Sequence, residues 1–118
     1  MERAKQINSL ENLEEALTES NDRPVLVFKH SLSCSISAMA SRQFDNFLVN
    51  PIPGVSYKII TVQNAREASD EFSSRLGIKH ETPQMVLVRN GKCVWQASHY
   101  FIKPANIEKA IRAELEKQ

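Results

Sequence analysis

The residue of this chain best suited to covalent chemistry is Cys34, which follows a short apolar segment and opens a stretch with helical periodicity. A free thiol is mostly protonated at neutral pH, whereas the thiolate is the reactive nucleophile. Unpaired amide N–H groups and the helix dipole favour the anion at the start of a helix. The position therefore predicts a thiol with a lowered pKa that attacks disulfides, and the alternative is a small, inert buried side chain.

A hydroxyl stands where a two-cysteine redox motif would carry its second thiol, because Ser37 follows Cys34 at the Cys-x-x-Cys spacing. Serine cannot resolve a mixed disulfide, but it can donate a hydrogen bond to the thiolate. This pattern predicts exchange through one cysteine. Ser35, Lys29 and His30 are further supporting candidates, the last two only if their side chains point toward the sulfur.

The second motif is Thr82-Pro83, directly before the apolar run Met85–Val88. A proline is tolerated at the first residue of a strand, so the motif is consistent with a simple strand start. The functional interpretation is a cis Thr82–Pro83 bond that faces Cys34 and presents backbone groups to an extended thiol ligand or peptide. The residues alone leave both interpretations open.

The remaining cysteine and histidine have weaker support as functional residues. We expect Cys93, in a strand after a turn, to be structural, although a regulatory thiol remains an alternative. His99 is interpreted as a partly exposed histidine between the last strand and the last helix, and we do not assign it to catalysis. Two cysteines and three histidines form neither a disulfide framework nor a metal-site spacing.

Length and composition are those of an ordinary globular protein. The chain has 118 residues, 42% hydrophobic and 25% charged, which predicts a single domain over 1–118. A net charge of +1 gives no electrostatic reason to expect a nucleic-acid or membrane partner. The first residues contain no signal-peptide pattern, so we expect a cytoplasmic protein with reduced thiols.

The elements that must position Cys34 follow from periodicity and turn residues. Helices are predicted over 9–20, from Cys34 to the Asn50 region, over 65–76 and from Pro104 onward, and strands over 25–30, 57–62, 85–88 and 93–97. Asn90-Gly91 predicts a two-residue hairpin turn. The order α-β-α-β-α-β-β-α indicates an α/β fold with a four-stranded mixed sheet flanked by helices on both faces. The predicted buried face of the second helix comprises Ile36, Met39, Ala40, Phe44, Phe47 and Leu48.

Three segments together resemble a known family. They are Phe28-Lys29-His30-Ser31 with Cys34-x-Ile36-Ser37-x-x-Ala40, then Thr82-Pro83-Gln84, then Ser98-His99. This layout resembles the YtxJ-type bacilliredoxins, monothiol glutaredoxin-like proteins of the bacillithiol system within the thioredoxin superfamily. The resemblance covers nearly the whole chain. It implies a thioredoxin-like fold, Cys34 as the nucleophile and Thr82–Pro83 as the substrate-binding cis-proline turn.

The resemblance also implies a reaction, the removal of bacillithiol from mixed disulfides on client proteins. The expected partners are S-thiolated clients, a low-molecular-weight thiol such as bacillithiol as co-substrate and a thiol reductase, with no tightly bound cofactor and no metal. The chain departs from many relatives at Ser35, where they carry proline, which leaves the first helical turn less rigid.

Two other functions remain open. One is a thioredoxin-like binding module or adaptor without turnover. The other is iron–sulfur carriage between two chains, as in some monothiol glutaredoxins. Those proteins favour Cys-Gly-Phe-Ser, which Cys34-Ser35-Ile36-Ser37 does not match.

Overall fold

The computed structural model describes residues 3–117, within which the chain forms five strands and four α-helices. The strands are β1 (Lys5–Gln6), β2 (Val25–His30), β3 (Ser56–Thr61), β4 (Gln84–Arg89) and β5 (Lys92–Ser98). The helices are α1 (Leu10–Glu19), α2 (Ser35–Val49), α3 (Arg66–Leu76) and α4 (Pro104–Leu115), with a short 3-10 turn at His99–Phe101. None of these helices is long and apolar enough to cross a lipid bilayer.

The strands form one mixed sheet in the order β1-β3-β2-β4-β5. β3 is parallel to β1 and β2, whereas β4 is antiparallel to β2 and β5. The predicted four-stranded sheet therefore lacked one strand, β1. Its two residues are both exposed and lie at the sheet edge, so they carry no hydrophobic alternation that a sequence pattern could reveal. The neighbouring Ile7 N–H extends this pairing by donating to the Ile59 carbonyl at 2.8 Å.

The β4–β5 hairpin has the predicted turn and one unpredicted irregularity. Asn90 and Gly91 have positive φ angles of 55° and 72°, the conformation that matches a tight turn to the twist of its strands. Leu87 pairs with Trp95 but Val88 pairs with Cys93, so the register shifts by one residue within β5. The extra residue makes a β-bulge in the strand that forms the outer edge of the sheet.

Side chains alternate across the sheet and divide the core into two layers. Leu26 and Phe28 of β2 face α2 and α4, whereas Val25 and Val27 face α1 and α3. The first layer also contains Ala40, Phe44, Phe47, Tyr57, Met85, Leu87, Ile107 and Ile111. The second also contains Leu13, Ala16, Leu17, Ile60, Ala68, Phe72, Val86 and Val88. Burial of these faces is what holds the end of β2 against the start of α2.

The helix ends follow the local chemistry. Ser9 caps α1, its hydroxyl oxygen accepting the Asn12 N–H at 3.1 Å. Gly77 ends α3 in the left-handed conformation with φ 65°. Pro104 occupies the first turn of α4, where its missing N–H costs no hydrogen bond.

The prediction for the buried face of α2 was wrong at Met39, which is 43% exposed. Ala40, Phe44 and Phe47 are buried as predicted, whereas Ile36 is only half-buried. Helical spacing identifies one face of a helix, but it does not show where along that face the covering sheet ends. The first two turns of α2 therefore present apolar side chains outside the core.

A buried tyrosine fixes the connection between α2 and β3. The Tyr57 hydroxyl donates to the Ile52 carbonyl at 2.8 Å and accepts the Ile52 N–H at 3.0 Å. Burial raises the pKa of this phenol to about 12, so it stays a neutral donor. One side chain thereby satisfies both backbone groups of a residue that lies outside regular secondary structure.

Candidate active site

Cys34 lies between the end of β2 and the start of α2. The loop 31–33 separates it from His30, and Cys34 itself is the N-cap residue, with extended φ and ψ angles of −112° and 123°. The helix therefore begins at Ser35, one residue later than predicted. The thiol is partly exposed and free. An N-cap side chain lies next to the unpaired amide groups of the first helical turn, which places the sulfur where a negative charge is favoured.

These amides have the expected effect on the thiol. The backbone N–H of Ser37, followed by that of Ile36, lowers the pKa of Cys34 below its usual range. The Ser37 hydroxyl acts in the same direction, and partial desolvation opposes them. The thiolate is stabilised chiefly by backbone groups, which every residue at these two positions except proline would supply.

Ser37 is fully buried, and its hydroxyl connects both ends of the loop. Its oxygen accepts the Ser31 N–H at 3.2 Å. A hydroxyl can accept and donate at the same time, so the Ser37 O–H is also available to donate to the Cys34 sulfur, in the direction that lowers the pKa of that thiol. The side chain at the position of a second redox cysteine thus orders the loop and supports the thiolate.

Gln63, which the sequence pattern did not indicate, forms hydrogen bonds with the loop 31–33 before Cys34. It lies directly after β3, and its Oε1 accepts the Leu32 N–H at 3.0 Å. Its Nε2 donates to the Ser31 hydroxyl at 2.7 Å. A signal was available, because β2 and β3 are parallel neighbours whose carboxyl ends meet at one edge of the sheet. A polar residue just after β3 was therefore a candidate for contact with the Cys34 loop.

The structure gives Lys29 partners away from the thiol. Lys29 is fully buried beside α3, where its ammonium donates to the Ser73 hydroxyl at 2.9 Å. It also lies 3.1 Å from Nδ1 of His80. Desolvation lowers its pKa to about 8, against the opposing charges of Asp70 and Glu81. Alternation along β2 explains the result, because Lys29 follows Val25 and Val27 on the face opposite α2.

His30 is also bonded within the protein. Its Nε2 lies 3.0 Å from the Thr61 hydroxyl, and its ring stacks on Phe28 with a centroid distance of 5.1 Å. Burial lowers the pKa of this imidazole, which favours the neutral ring. Ser35 is exposed in the first turn of α2, next to Cys34. Cys34, Ser35 and Ser37 therefore share one turn, while Lys29 and His30 support the surrounding sheet.

The Thr82–Pro83 segment lies at the same end of the sheet as Cys34. Lys29 pairs with Gln84 in the antiparallel β2–β4 register, so Pro83 lies opposite His30, at the entrance to the Cys34 loop. The Thr82–Pro83 peptide bond is cis. The Pro83 carbonyl accepts the His99 N–H at 3.1 Å, which joins this segment to the turn after β5. The Thr82–Pro83 segment and the turn after β5 thus lie at the same end of the sheet as the Cys34 loop.

Cys93 lies at the opposite end of the sheet. It pairs with Val88, which pairs with Val25 at the start of β2, whereas Cys34 follows the end of that strand. Its thiol is 3.6 Å from the Trp95 carbonyl, and burial raises its pKa. Two cysteines at opposite ends of one sheet do not meet within a chain. Across residues 3–117, no three or more His, Cys, Asp or Glu side chains cluster as a metal site.

Comparison with known proteins finds the same fold in solved structures and assigns the chain to a family. The family model described as "Monothiol bacilliredoxin BrxC" matches residues 5–107. A solved structure described as that of a proposed oxidoreductase with a thioredoxin fold is similar over 92% of this chain and 93% of its own, with 32% identity and a TM-score of 0.80.

More distant solved structures share the fold. Thioredoxin from Fasciola hepatica is 19% identical, with a TM-score of 0.73 over 92% of this chain and 97% of its own. Thioredoxin from Trypanosoma brucei brucei is 15% identical, with a TM-score of 0.74 over 96% of this chain and 91% of its own. The family match, the fold and the single cysteine at a helix start lead to one conclusion: this chain belongs to the monothiol bacilliredoxins, thiol redox proteins with a thioredoxin fold.

Proposed function

We propose that this protein is a thiol-disulfide oxidoreductase that removes a low-molecular-weight thiol, bacillithiol, from mixed disulfides on client proteins through Cys34. The observation that carries the proposal is the Cys34 thiol at the N-cap of α2, its pKa lowered by the Ser37 and Ile36 amides. Thiolate fraction and access set the rate of attack on a disulfide. The thiol is partly exposed, so both requirements are met at one atom.

The proposed reaction proceeds in two exchange steps. The Cys34 thiolate attacks the small-thiol sulfur of a client mixed disulfide, a new S–S bond forms to Cys34, and the client leaves as a thiolate. A second small-thiol thiolate then attacks that small-thiol sulfur, so that Cys34 leaves as a thiolate and a small-thiol disulfide is released. A thiol reductase is the partner that we propose to reduce this small-thiol disulfide. Electrons and sulfur atoms balance in each step.

Because residue 37 is a serine and not a cysteine, an external thiol has to carry out the second step. A hydroxyl cannot displace the small thiol from Cys34, and Cys93 lies at the other end of the sheet. The intermediate therefore waits for an external thiol. We place the incoming disulfide between the first turn of α2 and the Thr82–Pro83 segment, since both border the Cys34 loop.

The test uses a fluorescent peptide carrying bacillithiol in a mixed disulfide, with Cys34→Ser and Cys93→Ser as matched variants. We expect Cys34→Ser to abolish release of the peptide thiol and Cys93→Ser to retain it. Mass spectrometry of the wild type should find bacillithiol on Cys34. Full activity of Cys34→Ser refutes the proposal, and so does a Cys34 pKa in the ordinary range together with no turnover, which favours an adaptor.

A further inference from the structure

A groove runs beside the Cys34 site, between α2 and the turn that joins β5 to α4. It has a volume of about 170 Å³. Ile36, Met39, Ala40 and Gln43 line one wall, and His99, Tyr100, Ile102 and Lys103 line the other. Ile36 is two residues from Cys34 and supplies one of the amides that stabilise its thiolate. The groove therefore begins in the helical turn that follows Cys34.

The chemistry of the two walls differs. The α2 wall is largely apolar, and Met39 is 43% exposed there. The opposite wall carries the basic side chains of the lining, His99 and Lys103, and the lining residues include no carboxylate. Lys103 belongs to none of the ion pairs formed among residues 3–117. An exposed ammonium without a counter-charge, in a groove whose lining includes no carboxylate, is complementary to a ligand with an anionic end.

The wall that carries these groups is held in place by the backbone. His99 has a φ angle of 55°, a left-handed conformation unusual for a residue other than glycine. The same residue donates its N–H to the Pro83 carbonyl at 3.1 Å. Asn106 of α4 donates from Nδ2 to the Phe101 carbonyl at 2.9 Å. His99 also accepts the Ile102 N–H on its carbonyl at 3.3 Å, so its backbone is bonded on both sides. A strained residue fixed in this way is a preorganised feature of the kind found at ligand sites.

We infer that this groove holds the small-thiol half of the disulfide, and that Lys103, with His99 beside it, binds the carboxylates at the end of that thiol. The inference rests on the proposed function, and it names the part of the substrate that Cys34 retains. Bacillithiol has the required anionic end, because its cysteinyl-glucosamine body carries a malate with two carboxyl groups. The groove thereby selects which sulfur of a mixed disulfide faces Cys34, since the two carboxylates belong to the small-thiol half in every client disulfide.

The experiment compares two peptide disulfides of nearly equal size, one carrying bacillithiol and one carrying bacillithiol with both carboxyl groups methylated. We expect the wild type to react with the free carboxylates about fivefold faster in kcat/KM, the range of one exposed ion pair. Lys103→Gln should remove this preference without lowering the rate on the methylated peptide. Lys103→Glu should reverse it. Lys109→Gln, an exposed lysine of α4 outside the groove lining, is the charge-matched control and should keep the preference.

The outcomes separate this inference from the function on which it rests. Equal rates on both peptides in the wild type overturn the groove assignment, while continued exchange leaves the Cys34 chemistry intact. A loss of rate on both peptides in Lys103→Gln also overturns it, because the lysine would then act without regard to the ligand charge. Absence of exchange with either peptide in the wild type refutes the proposed function itself.

Discussion

The Lys29 ammonium lies 3.1 Å from Nδ1 of His80, a contact that joins β2 to a segment 51 residues further along the chain. His80 precedes Thr82 by two residues, so this partly buried contact connects the strand leading to Cys34 with the segment leading to Pro83. Lys29 also bonds to Ser73 of α3 at 2.9 Å. Three elements around the site are thus tied together by one buried ammonium.

This ammonium should make the stability of the protein depend on pH. Desolvation lowers the pKa of Lys29 from 10.5 to about 8, so between these values the unfolded state binds more protons than the folded state. The free energy of unfolding should therefore rise with pH across this window, by up to about 3 kcal/mol. Urea unfolding of the wild type and of Lys29→Met at several pH values checks this. The variant should lack this component of the slope, and equal slopes would contradict the prediction.

Replacement of Ser37 by alanine should lower the fraction of Cys34 that is present as thiolate, without removing the thiolate altogether. The variant loses the hydroxyl donor, so the pKa of Cys34 should rise, but the larger effect of the backbone amides remains. The Ser31 N–H also loses its acceptor, which should lower the free energy of unfolding by about 1 kcal/mol. The pH dependence of alkylation reports the pKa. Ser41→Ala, one turn further along α2, is the control, and a shift of equal size there would contradict the assignment.

Gln63→Ala should loosen the loop before Cys34 while leaving the fold intact. The variant removes the acceptor of the Leu32 N–H and the donor to Ser31. We expect faster hydrogen exchange at Leu32 and slower disulfide exchange, with little change in the Cys34 pKa, because the α2 amides stay in place. Asn64→Ala, at the next exposed position, should have neither effect. Unchanged protection of Leu32 in Gln63→Ala would show that Gln63 does not order the loop.

Tyr57→Phe should destabilise the protein at a site remote from the thiol. The hydroxyl satisfies both the N–H and the carbonyl of buried Ile52, so its removal leaves two backbone groups without a partner. A cost of about 1–3 kcal/mol in the free energy of unfolding follows from this loss. Tyr100→Phe removes a hydroxyl from a side chain that is 60% exposed and should change the stability little. Urea unfolding distinguishes the two variants, and equal stabilities would contradict the role given to Tyr57.

The sequence predicted the elements of the fold wherever hydrophobic period and turn chemistry agreed. β2 was predicted over 25–30 and occupies Val25–His30, because it is an apolar run bounded by a proline and by polar residues. The Asn90–Gly91 turn was equally determined, since few residue pairs adopt two positive φ angles. β1 was missed because its two exposed edge residues show no alternation of hydrophobic and polar side chains.

The candidate site was predicted in part. The position of Cys34 at a strand–helix junction follows from the change of period at that residue. The side chains around it depend on tertiary register, which sequence spacing does not specify. Gln63 was missed because its contact with the loop arises from the parallel pairing of β2 and β3. Lys29 was a supporting candidate only on the condition that its side chain pointed toward the sulfur, and strand alternation directs that side chain to the other face of the sheet.

The irregular β5 register has a consequence for how copies of this protein meet one another. Both margins of the sheet are poor templates for intermolecular strand addition: one margin ends in a strand of two residues, and the other is kinked at Val94 and begins with Lys92. A neighbouring chain that tried to extend the sheet would find no long, flat row of free amides. Both sheet margins therefore discourage copies of this protein from associating edge to edge.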